Sequence, residues 1–80
     1  MKKHQKINHE LDTSGLLCPY PLVKTKAALR ELQAGEILRV ISTDPASQID
    51  FRVFTETSSH DLLESTQENG KFIFVIRKRT

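Results

Sequence analysis

The stretch LDTSGLLCPYPLVK, residues 11–24, passes from strand to turn to helix within a few residues, and the fold follows from where each change falls. Residues 7–12 read as a short strand that stops at Thr13-Ser14-Gly15, a cluster of turn formers. A helix then runs from about Pro19 to Gln33. Leu22, Thr25, Ala28, Leu29 and Leu32 repeat at three-and-four spacing, while Lys24, Lys26, Arg30 and Glu31 fall elsewhere on the wheel. Gly35 follows where such a helix ends. With Cys18 as cap, Pro19 takes the first helical position and Pro21 the third, where backbone N–H groups have no intrahelical acceptor to lose.

Working outward, ILRVIS at 37–42 reads as a strand, and Thr43-Asp44-Pro45 opens a second helix with Asp44 as its cap. Ala46, Ile49, Val53 and Thr57 form its expected buried stripe, widened by Phe51 and Phe54. Residues 62–67 read as a third strand and 72–77 as a fourth, joined by the hairpin signal Asn69-Gly70. The order β-α-β-α-β-β, with right-handed crossovers, predicts an α/β two-layer sandwich: a mixed four-stranded sheet with both helices on one face. The last strand carries Phe72, Phe74 and Ile76 on one side and Ile73 and Val75 on the other. The helix-free face is therefore expected to be partly apolar and able to dock a partner or a second copy in a weak homodimer; the alternative is a scatter of exposed apolar side chains.

Eighty residues make one domain, expected over 7–80 behind a flexible tail at 1–6, and a chain of this size buries only about 60–65% of its unfolded surface. Apolar residues at 38% and charged residues at 28% indicate a globular chain rather than a disordered one. The longest apolar run, FIFVI at 72–76, is too short to span a bilayer, and no apolar segment follows the first lysines, so the expected location is cytoplasmic with no membrane partner. Basic residues stand at both ends (Lys2, Lys3, Lys6; Arg77, Lys78, Arg79), but a net charge of +2 offers little attraction for phosphate and argues against nucleic acid.

Cys18 is the only cysteine, which excludes an internal disulfide and a CxxC dithiol. Its place between a strand and a helix lies at the carboxyl edge of the sheet, where open α/β folds collect ligands. A helix N-terminus favours a nearby anion, so the thiol is expected to ionise more readily than a free cysteine, with the N–H groups of Tyr20 and Leu22 facing it. The other reading of an unpaired cysteine is a small buried hydrophobe. Asp44 either caps its own helix or, if close, opposes the thiolate. His4, His9 and His60 are poorly placed to act as a catalytic base, and no Cys/His spacing supports a metal site. A thiol without a resolving cysteine can accept a group from one protein and pass it to another.

LDTSGLLCPYPLVK, followed by GEILRVISTDP and a terminal IFVIRK, resembles the TusA/SirA family of small sulfur-carrier proteins across residues 10–79. The resemblance rests on the C-P-x-P motif placed after D-x-x-G and before G-E and D-P. It implies the two-layer fold above, no cofactor, and a persulfide carried on Cys18. It further implies that Pro19 and Pro21 shape the helix start, and that Gly15, Asp44 and Asp50 serve local structure or stand near the thiol. Thiouridine-pathway members usually have arginine before the cysteine and glutamate between the prolines; Leu17 and Tyr20 here look more like the CPYP-type members.

The expected chemistry is transpersulfidation: Cys18 takes sulfur from a donor such as a cysteine desulfurase or rhodanese and relays it to an acceptor thiol. Leu17 and Tyr20 would supply partner contacts, although Tyr20 could equally pack over the first turn. This is a sulfurtransferase-type carrier rather than a multiple-turnover enzyme on a small substrate. The rival readings are a non-catalytic RNA- or protein-binding module using the basic termini and open sheet face, and a thiol redox sensor.

Overall fold

A computed structural model describes residues 6–79 of the chain. The elements come in the expected order: β1 (His9–Asp12), α1 (Tyr20–Glu31), β2 (Ile37–Ser42), α2 (Ser47–Thr57), β3 (Asp61–Glu68) and β4 (Lys71–Arg77). The sheet order is β1-β2-β4-β3, with β1 parallel to β2 and both other pairings antiparallel. The sheet is therefore mixed, and the two crossover helices pack together against one face of it. The expected tail lies outside the described residues except for Lys6.

Alternation along the central strands sets the core. Leu38, Val40 and Ser42 of β2 and Phe72, Phe74 and Ile76 of β4 point to the helices and are buried. They meet Leu29 of α1 and Phe51 of α2, with Leu11, Leu22, Ala28, Leu32, Phe54 and Leu62 around the margin. The Phe51 and Phe74 rings stack with centroids 4.3 Å apart and planes 1° from parallel. The stripe expected on α1 is the one that packs inward.

The stripe expected on α2 does not. Ile49 and Val53 are 61% and 49% exposed, while Ser47 and Phe51 are buried and Phe54 packs beside the core. Two phenylalanines three residues apart remove more apolar area from water than Ile49 with Val53, so the helix turns its aromatic side to the sheet. Ser47 can follow them inward because its hydroxyl hydrogen-bonds that of Ser42 at 2.6 Å.

On the helix-free face Val75 is buried and Ile37, Ile41 and Ile73 are half-buried, with Arg39 opposite Val75 in the register and paired with Glu10 of the neighbouring strand. The most exposed large apolar side chains lie elsewhere: apart from Ile7 before β1, they are Leu17, Tyr20, Val23, Ile49 and Val53, all in the helical layer or the loop leading into it.

Candidate functional site

Parallel strands β1 and β2 end side by side, and the loops that follow them are tied together by hydrogen bonds across the gap. The Thr13 N–H and hydroxyl both donate to the Ile41 carbonyl, at 2.8 and 2.7 Å. The Gly15 N–H donates to Thr43 Oγ1 at 2.9 Å, and the Cys18 N–H donates to Asp44 Oδ2 at 2.7 Å. Gly15 has φ +86°, a left-handed conformation that costs glycine little and lets the chain reverse after β1. Asp12 closes the same turn: hydrogen bonds from the Ser14 side chain and backbone hold its carboxyl below the usual range.

Both helices are preceded by a tight turn, and this corrects the expected caps. The Tyr20 N–H bonds to the Leu17 carbonyl at 2.9 Å, enclosing Cys18 and Pro19, whose peptide is cis. Pro19 is the cap of α1, and Pro21 falls within its first two positions. Cys18 thus stands one residue outside the helix rather than capping it. In the same way the Ser47 N–H bonds to the Asp44 carbonyl at 3.0 Å, enclosing Pro45 and Ala46 in a turn, and Ala46 takes the cap position of α2. Asp44 instead joins the two loops. It is 6% exposed, with Oδ2 on the Cys18 N–H, Oδ1 on the Ala46 N–H at 3.2 Å, and its own N–H on Ser42 Oγ at 3.1 Å.

Cys18 is exposed, so the reading of a small buried hydrophobe falls. Its ionisation departs from expectation in the other direction: the thiol pKa is raised. The largest cause is the hydrogen bond to the Asp50 side chain, followed by desolvation and by the negative charges of Asp50 and Asp44. Two prolines remove donors from the first turn, and the Tyr20 N–H already bonds Leu17, so little positive potential remains at the helix end. Two nearby carboxylates outweigh it. Asp50 arrives from the first turn of α2 and Asp44 from the loop before it.

Leu17 and Tyr20 flank the thiol at 65% and 59% exposure, and Val23, Ile49 and Val53 extend the apolar surface along the two helices. Asp50, Leu22 and Val53, with Lys26, Phe54 and Thr57, line a groove of about 280 Å³ between α1 and α2. Ser42 and Ser47 brace the site without having been singled out in the sequence, and Thr43, read there only as part of the opening of α2, holds the Gly15 N–H. The polar run STDP after an apolar strand was the available signal, because hydroxyls at a strand end commonly bond loop backbone. Val23, Ile49 and Val53 gave no signal, since an apolar residue on an amphipathic helix is ordinarily taken for core.

Comparison with known proteins agrees with this geometry. The family profile described as "Sulfurtransferase TusA" matches residues 9–78. The chain is 45% identical over 71 residues to a "Sulfur carrier protein TusA" of Allochromatium vinosum, covering 89% of this chain and 93% of that one. It is 38% identical over 74 residues to a protein of the same name from Pseudomonas syringae pv. syringae, covering 92% and 88%. The crystal structure of a SirA-like protein from Desulfitobacterium hafniense superposes with a TM-score of 0.77 at 26% identity, over 90% of this chain and 99% of that one. With the C-P-x-P thiol loop, the mixed sheet and these matches all in register, the chain belongs to the TusA family.

Proposed function

We propose that this protein carries sulfur as a persulfide on Cys18, receiving it from a donor protein and delivering it to an acceptor. The observation that carries the reading is the placement of the sole thiol: exposed, outside a helix end, on a loop held rigid by Thr43 and Asp44. In the loading step the Cys18 thiolate attacks the outer sulfur of a donor persulfide. A new S–S bond forms at Cys18, the donor S–S bond breaks, and the donor cysteine leaves as thiolate, with no net oxidation. Unloading is the same exchange, with an acceptor thiolate attacking the outer sulfur of Cys18. A cysteine desulfurase or rhodanese suits the donor role.

Leu17, Tyr20, Val23, Ile49 and Val53 supply an apolar rim for such partners, since desolvated aromatic and aliphatic side chains give transient interfaces their affinity. The Asp50 carboxylate disfavours the Cys18 thiolate, which lowers the reactivity of the resting thiol toward indiscriminate electrophiles. Nothing among the matched relatives favours the RNA- or protein-binding module. Two of its three basic C-terminal residues, Arg77 and Arg79, are also engaged with Asp61. Among the described residues no helix is long and apolar enough to cross a membrane.

Intact mass spectrometry tests the proposal. After incubation with a cysteine desulfurase and cysteine, the protein should gain the mass of one sulfur atom, removable by reductant and located on the peptide containing Cys18. If Cys18→Ser still accepts labelled sulfur, the assignment is wrong.

A further inference from the structure

At the end of the helical layer away from Cys18 lies a second cavity, of about 300 Å³, lined by Lys26, Leu29, Arg30, Phe54, His60 and Lys78. Its lining divides cleanly by chemistry. Leu29 and Phe54 form an apolar floor, and Phe54 is flanked by the Lys26 ammonium 5.5 Å from its centroid and by the His60 ring at 5.9 Å. Every other side chain in it is a hydrogen-bond donor. His60 accepts the Arg79 N–H on Nδ1 at 3.4 Å, so its proton sits on Nε2. Lys78 gives one N–H to the Leu32 carbonyl at 2.6 Å, which leaves two and covers a carbonyl at the negative end of α1.

Among the described residues the three cations of this lining, Lys26, Arg30 and Lys78, form no ion pair; the pairs present join Arg39 to Glu10, and Arg77 and Arg79 to Asp61. Asp61, the carboxylate that acts on His60, already holds two arginines. Three like charges gathered around one concavity repel each other unless an anion joins them. The half-charge of a helix C-terminus, partly covered by Lys78, does not offset three.

We propose that this cavity binds a small organic anion, a carboxylate or phosphate attached to a flat or apolar group, with the charge held by Lys26, Arg30 and Lys78 and the apolar part resting against the half-buried Phe54. The volume stands at the small end for ligand pockets, which limits the occupant to roughly the size of one ring and one charged group. Lys26 and Phe54 are shared with the groove that Asp50 lines, so the two concavities adjoin, but Cys18 lines neither and occupancy of this one does not depend on sulfur transfer.

Titration of the full-length, isotope-labelled protein by two-dimensional NMR decides it, with phenyl phosphate, inorganic phosphate and benzyl alcohol as probes. Phenyl phosphate should produce saturable shifts centred on Lys26, Arg30, Phe54, His60 and Lys78. Inorganic phosphate should shift the same amides with weaker affinity, and benzyl alcohol should shift none. Arg30→Gln, an exposed change that leaves the core intact, should weaken phenyl phosphate by about two- to fivefold, and Lys78→Gln should do the same. Lack of saturation with phenyl phosphate, equal binding of benzyl alcohol, shifts centred elsewhere, or unchanged affinity in a folded Arg30→Gln protein would each overturn the proposal.

Discussion

At the scale of single residues, the reactivity of Cys18 is set by a neighbour 32 positions along the chain. The Asp50 carboxylate and, more weakly, Asp44 disfavour the thiolate, so removing the Asp50 charge should lower the thiol pKa. In Asp50→Asn the pH profile for alkylation by iodoacetamide should move to lower pH, and the rate at neutral pH should rise. An unchanged profile would mean that the carboxylate does not govern the sulfur. Asp44 has a different task. Its side chain satisfies the Cys18 and Ala46 N–H groups at a buried position, and Asp44→Ala should cost about 1–3 kcal/mol of stability in urea unfolding. Gly15→Ala should cost about 1–2 kcal/mol from backbone strain alone, because no atom lies within 4 Å of where its Cβ would stand.

At the scale of elements, the C-P-x-P segment shows how a sequence signal can be right in kind and off by one position. Two prolines near a helix start were a sound indication of that start, but Cys18 and Pro19 lie in a turn closed by the Tyr20 N–H, and the helix begins after it. At Asp44-Pro45 the offset is two positions, because the turn closed by the Ser47 N–H encloses Pro45 and Ala46 and the cap falls on Ala46. An X-Pro pair suits the turn and the first helical positions about equally well, so local preference does not separate them. On α2 the ambiguity was larger: two overlapping apolar stripes compete, and only the sheet opposite chooses between them. Phe51 won because Phe74 offers a parallel ring at 4.3 Å. Phe51→Ala should therefore cost about 3–5 kcal/mol, a large part of the roughly 5–15 kcal/mol that holds such a domain together. Thermal unfolding followed by circular dichroism would measure it.

For the whole molecule, the apolar side chains left outside gather on the helical layer next to the thiol, with Tyr20 and Val23 on α1 and Ile49 and Val53 on α2. The open sheet face, expected to be partly apolar and able to dock a partner, carries apolar side chains, but its valine is buried and its isoleucines are half-covered. Val53→Glu should slow loading of Cys18 by a desulfurase by about tenfold or more while leaving its alkylation by iodoacetamide unchanged, since an interface residue acts on encounter and not on the sulfur. A stopped-flow or quenched mass-spectrometric loading assay separates the two. The element order, the mixed sheet, the α1 stripe and the lone thiol at a loop were all legible in the chain, because each depends on spacing of a few residues or on a single residue type. Which carboxylate faces the sulfur, which loop hydroxyls brace it and which apolar side chains stay in water were not. Those depend on β1 and β2 lying side by side, which brings residues 12–18 against 41–50. Periodicity determined what each segment would become; only the folded sheet decided the electrostatics of Cys18, because charges act through space and the chain does not record that distance.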